Sequence, residues 1–183
     1  SNRTNSAGVM YGQFLQSLQI QNCIFLSNQA EGLYYKSKNA VGGFGAVMVL
    51  IKVQEVTSVN NIYKNNFANS MGAVFFSGYP PILTRVSNNP CFHSKPKFTE
   101  IKCSEVQGNI TNKKSSFLNN KAVDKAGVFY VDMIHYFLNM HCNFHQNVLY
   151  GALKLQGGVI YSTITNADRV TYIYNINCKF SMK

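Results

Sequence analysis

Acidic residues are scarce in this chain: 7 Asp and Glu stand against 17 Lys and Arg in 183 residues, a formal net charge of +10. So few carboxylates leave little for acid–base or metal chemistry. No uninterrupted apolar run approaches the ~18 residues of a membrane span, although 46% of the residues are hydrophobic. Heptads are missing too, because Asn, Gly and β-branched residues interrupt every stretch, and this excludes a long coiled coil. The chain has no CxxC, no P-loop and no GxGxxG after a strand. It also has no initiator Met, charged leader or cleavage signature, and so reads as a processed product or a fragment. Against these absences stand 13 Phe and 11 Tyr, too many for a solvated tail. The length suits one domain, residues 1–183, with a substantial core. Its composition is that of an all-β protein poorly equipped for catalysis.

An internal repeat decides the reading. An aromatic recurs at Phe25, Tyr63, Phe117, Phe144 and Phe180. Three residues later comes Asn28, Asn66, Asn120 or Asn147, with Lys183 in the fifth copy. Two residues further stands Ala30, Ala68, Ala122 or Leu149, and seven residues before each aromatic sits Leu18, Val56, Ile110, Phe137 or Ile173. A pair of small residues precedes Val9, Val47, Val74, Val128 and Val159. From pair to aromatic the count is 18 (7 to 25, 45 to 63, 126 to 144), and from aromatic to pair it is 9 (63 to 72, 117 to 126), a period of 27. Other spacings fit once loops are allowed. Gly72 to Phe117 carries one further period of 27, so residues 77–107 are either a long insertion or a degenerate sixth coil.

Short β-branched and aromatic strands punctuated by Asn and Gly, at a period in the twenties, describe a parallel β-helix. Equivalent residues of successive coils then stack about 4.7–4.9 Å apart. Aromatics stack in the core, Gly and Ala lie where the chain bends, and the asparagines form a hydrogen-bonded ladder at a turn. Phe-x-x-Asn-x-Ala followed by Gly-Ala-Val resembles the FxxN and GGA(I/L/V) repeats of chlamydial polymorphic membrane proteins. It is also similar to the pectin-lyase-like repeats of large ciliate surface proteins. Both resemblances imply a right-handed parallel β-helix, here of five clear coils, displayed outside the cell. The resemblance runs from Ala7 to Phe180 apart from the 77–107 segment.

Enzymes of this fold resemble pectate lyases and polygalacturonases, which cluster carboxylates. Here no two of Glu31, Glu55, Glu100, Glu105, Asp124, Asp132 and Asp168 share a repeat column on adjacent coils. No catalytic, cofactor-binding or metal residue is therefore expected. His141 and His145 would lie roughly 13 Å apart along a strand, too far for one metal, and read as solvent-facing. Cys23, Cys142 and Cys178 each stand two residues before a core aromatic and read as small buried residues, although Cys142 and Cys178 occupy neighbouring coils. Cys91 and Cys103, inside 77–107, are the better disulfide candidates, and a bridge there would imply an oxidising compartment. Asn2 and Asn109 head glycosylation sequons. Lys95, Lys97, Lys102, Lys113 and Lys114 read as a solvated basic region or a contact for acidic glycans, and no nucleic-acid module is recognisable. Directly after each repeat Val come Met10, Met48, Phe75, Phe129 and Ile160. Strand alternation expects these outside, as an apolar stripe for a lateral partner.

Neither terminus resembles a cap, and running Lys183 into Ser1 reaches the next small pair after 10 steps against the normal 9. The expectation is a non-enzymatic structural unit of an extracellular or surface β-helical filament, its partner being itself, head to tail. A surface adhesin or glycan-binding module is the alternative, and a carbohydrate-active lyase or hydrolase stands third.

Overall fold

The computed structural model describes residues 8–31, 33–34, 40–41, 43–51, 53–77, 108–132, 134–150, 158–163 and 172–182. They form a right-handed parallel β-helix of five coils. Coil 1 contains β1 (Met10–Gln13), β2 (Ser17–Gln21), β3 (Ile24–Leu26) and β4 (Gln29–Ala30). A small antiparallel pair, β5 (Leu33–Tyr34) and β6 (Ala40–Val41), follows outside the stack. Coil 2 runs through β7 (Met48–Ile51), β8 (Glu55–Val59), β9 (Ile62–Lys64) and β10 (Phe67–Ala68). Coil 3 has β11 (Phe75–Ser77), β12 (Gly108–Lys113), β13 (Ser116–Leu118) and β14 (Lys121–Ala122). Coil 4 has β15 (Phe129–Asp132), β16 (Ile134–Met140), β17 (Asn143–His145) and β18 (Val148–Leu149). Coil 5 shows β19 (Ile160–Thr163), β20 (Tyr172–Ile176) and β21 (Lys179–Ser181).

Equivalent strands stack into four parallel sheets, of five strands in sheets A, B and C and of four in sheet D, following the strand order within a coil. The register is the repeat itself: Leu18, Val56, Ile110, Phe137 and Ile173 align in sheet B, and Phe25, Tyr63, Phe117, Phe144 and Phe180 in sheet C. Strand β12 pairs directly with β8 and β16, while β11, in the same coil, pairs with β7 and β15. Both of these coil 3 strands thus lie directly between their counterparts in coils 2 and 4. Residues 78–107 themselves lie outside the described residues.

Left-handed backbone at fixed places turns the coil. Between sheets B and C the φ angles are 54° at Asn22, 54° at Asn60, 49° at Lys114, 54° at His141 and 50° at Asn177. Between sheets C and D the same conformation recurs at Ser27, Asn65, Asn119 and Gln146, and ahead of sheet A at Gly45, Gly72 and Ala126. A left-handed residue inserts a sharp bend between two extended segments, and Asn and Gly adopt it with least strain.

Within these bends the interior is built in layers. Tyr63, Val74, Phe75, Ile110, Phe117, Val128, Phe129, Phe137 and Phe144 form the main core. A second, alanine-only cluster (Ala30, Ala46, Ala68, Ala73, Ala122) fills the narrow side against sheet D. The column is alanine in coils 1 to 3, and half-buried Leu149 takes its place in coil 4 and packs against the cluster.

The structure corrects one expectation. Met48, Phe75 and Phe129 are fully buried in the main core, and Met10 and Ile160 pack against it. This column is internal and offers no lateral surface. The repeat Val stands in the bend before the strand, so alternation does not carry across it, and Val and its successor both point inward. The outer face of sheet A carries Val49 and Ile51 instead. Phe44, returning from the β5–β6 insertion, covers them in a separate buried cluster.

Candidate functional site

Two side-chain ladders run through the coils. The sheet C rings stack at centroid separations of 5.0, 4.9, 4.9 and 4.7 Å from Phe25 to Phe180, within 8° of parallel. Beside them the asparagines form a directional chain. Asn28 donates from N and Nδ2 to Asn66 Oδ1 (3.0 and 2.9 Å), Asn66 to Asn120 Oδ1 (3.1 and 2.9 Å), and Asn120 to Asn147 Oδ1 (3.0 and 2.9 Å). The second Nδ2 hydrogen of Asn66, Asn120 and Asn147 goes to the backbone carbonyl of Phe25, Tyr63 and Phe117. These buried amides are thus satisfied, as burial requires. A second ladder, missed in the sequence, joins Asn112 to Asn139 (2.9 Å) and Asn139 to Asn175 (2.8 Å) in sheet B. Its signal was available: an Asn five residues before the aromatic in the last three repeats.

The columns end uncovered on two faces. In coils 2 to 4 the sheet C rings are at most 1% exposed, whereas Phe180 is 50% exposed. Ile173 is 40% exposed, against 0–1% for Val56, Ile110 and Phe137 in its column. At the other face Val9 is 50% exposed, and Met10, Leu18 and Phe25 are half-buried, packed on the core from one side. The terminal members of the Val and aromatic ladders are therefore surface residues of the described stack. Lys183 lies outside the described residues.

A third column, immediately before sheet C, reads Cys23, Asn61, Ser115, Cys142, Cys178. Its backbone is paired from coil to coil: Ile62 N donates to Cys23 O, Ser116 N to Asn61 O, Asn143 N to Ser115 O and Lys179 N to Cys142 O. Cys23, Ser115, Cys142 and Cys178 each turn the side chain back onto the carbonyl two residues earlier, at 3.1 to 3.5 Å. The three thiols are free. Cys142 is buried, and that burial pushes its thiol up to about 11, with hydrogen bonds to the backbone opposing the shift. Cys23 and Cys178 are half-buried, one on each end face. Burial likewise raises the Tyr63 hydroxyl far above its usual range, against the opposing effect of its hydrogen bond to Ser58 (3.0 Å).

Among the described residues no three His, Cys, Asp or Glu side chains come together as metal ligands. His141 is exposed at a bend, and His145, half-buried, pairs its Nδ1 with Ser181 Oγ at 2.7 Å. Glu31 and Glu55 are exposed, and Asp124 accepts from Ser70 Oγ at 3.2 Å. Asn109 is exposed on the outer face of β12, whereas Asn2, Cys91 and Cys103 lie outside the described residues, as do Lys95, Lys97 and Lys102. An open groove of about 570 Å³ follows the bend between sheets C and D, lined by Asn65, Phe67, Asn119, Lys121, Gln146 and Val148 among others. Asn119 Oδ1, buried at its edge, has no hydrogen-bond partner. Among the described residues no helix is long and apolar enough to cross a membrane.

No protein-family model matches the chain, and neither a curated protein nor a solved structure matches it. The likeness to chlamydial and ciliate surface proteins therefore rests on the repeat and on the right-handed β-helix, with no tie to either family.

Proposed function

We propose that the chain is a non-enzymatic structural unit of an extracellular or cell-surface β-helical filament, built by stacking copies head to tail. The uncovered end faces carry this reading. Continuing the register sets Phe180 against Phe25, Ile173 against Leu18 and Ile160 against Met10 of the next copy, each pair matching in chemistry. Open strand edges add a row of backbone donors and acceptors that another parallel coil satisfies. Two columns do not match: Asn175 would face Ile20, ending the second ladder at the joint, and the main asparagine column has Lys183 as its fifth member before Asn28 of the next copy. The basic surface and the exposed Asn109 sequon, a site for a glycan, would face outward from the fibre.

Electron microscopy of the purified chain tests this. Filaments with a layer line near 4.8 Å and an axial repeat of ~24 Å, five strand spacings, are the expected result. Discrete particles at every concentration overturn it.

One observation favours a second reading, a glycan-binding module. The groove beside Asn119 offers amides from Asn65 and Gln146 and the ammonium of Lys121, the donor set that sugar hydroxyls and acidic sugars take. Glycan-array binding lost in Lys121→Ala would establish it.

A further inference from the structure

The geometry points to an intermolecular disulfide between Cys178 of one copy and Cys23 of the next, which locks the head-to-tail joint covalently. This rests on the stacking proposed above. Both residues belong to one column, whose members sit directly over one another throughout the stack, and they are its first and last members. At a continued joint the carbonyl of Cys178 meets the amide of Ile24, as the carbonyl of Cys142 meets that of Lys179 within the chain. The two Cα atoms then stand one strand spacing apart, about 4.7–4.9 Å, inside the ~4.4–6.8 Å between Cα atoms that a disulfide spans.

Within one folded copy the same two residues cannot meet. Cys23 is in coil 1 and Cys178 in coil 5, four strand spacings or ~19 Å apart. A bond between them is therefore a signature of stacking. Cys142 is the internal competitor for Cys178, being its direct neighbour. It is buried, holds its thiol against the carbonyls of Asn112 and Met140, and keeps its proton to higher pH than an ordinary thiol. The thiolate is the attacking species, so burial makes Cys142 a poor nucleophile.

The oxidant is a small soluble disulfide, RSSR. The thiolate of Cys178 attacks one sulfur, forming a mixed disulfide and releasing RS⁻. The thiolate of Cys23 from the next copy then attacks the Cys178 sulfur, releasing the second RS⁻. The two thiol protons end on the two RSH products, and the two electrons removed from the cysteines reduce RSSR.

The test adds oxidised glutathione to the purified chain, then applies denaturing gels without reductant, peptide mass spectrometry and electron microscopy to the same sample. A ladder of covalent multimers, reversed by reductant, is expected. The fragment containing Cys23 should be joined to that containing Cys178. Cys23→Ser or Cys178→Ser should abolish the ladder and leave filaments intact, since Ser115 already occupies this column, and Cys142→Ser should keep it. Filaments without a Cys23–Cys178 bond overturn the disulfide and leave the stacking in place. A monomeric product bridged between Cys142 and Cys178 overturns it too. If neither filaments nor covalent multimers form, stacking and disulfide fall together.

Discussion

At the scale of single residues the asparagine ladder is the most exposed to mutation. Asn120 accepts from Asn66 through two hydrogens and donates to Asn147 and to the carbonyl of Tyr63. Asn120→Ala strips partners from several buried groups at once, each worth about 1–3 kcal/mol when left unsatisfied. A loss of about 3 kcal/mol or more is expected in urea unfolding. Asn28→Ala, at the half-buried end of the ladder, should lose only about 1 kcal/mol. Titration gives a second test. Cys142 ordinarily ionises near 9 but is held to about 11 in the fold. Stability from this group is therefore complete below pH 9 and declines as pH rises toward 11, because the unfolded chain releases the proton first. The slope is at most about 1.4 kcal/mol per pH unit. Cys142→Ser should flatten that part of the stability profile relative to the unmodified protein.

At the scale of the coil and its bends, glycine relieves a left-handed corner where a side chain would crowd backbone, although Ala126 holds the same corner of the next coil at φ 55°. A Cβ on Gly72, at φ 63°, falls on the carbonyl oxygen of Phe75. Gly72→Ala should destabilise by about 2 kcal/mol or more. Lys114, left-handed at φ 49° and exposed, is the converse case. Lys114→Asn should stabilise by about 0.5–1 kcal/mol, since Asn bears this conformation with less strain. Thermal unfolding of the two variants checks both signs.

These bends also explain what the sequence disclosed. Aromatic, asparagine and alanine columns were legible because a stacked core demands the same shape in every coil. The bend positions were not, because Ser27, Lys114, His141 and Gln146 adopt the left-handed conformation without being glycine. That same blindness turned the Met48, Phe75 and Phe129 column inside out, since alternation was carried across a corner. The β5–β6 insertion was visible only as extra length, and its role in covering Val49 and Ile51 through Phe44 depended on tertiary packing. Of the end faces, the sequence showed the near-closure of the repeat but not which columns would stand uncovered.

At the scale of the whole molecule, each coil touches only its neighbours, so stability accumulates interface by interface. Hydrogen exchange should be slowest in β9, β13 and β17, whose rings lie between two others, and fast in β20 and β21. On assembly the amides of β20 and β21 should gain protection as strongly as those of the inner coils. Unchanged exchange there in sedimented material would show that the joint is not a paired strand edge.

Both amide ladders run one way, every Asn-to-Asn bond donated from Nδ2 toward the C-terminal coils. A column of such units has unlike tips, one presenting oxygen acceptors at Asn28 and the other amide hydrogens at Asn175. Elongation would then be vectorial, with different rate constants for subunit addition at the two tips. Seeds of one colour extended with another should carry a long new segment on one side and a short one on the other.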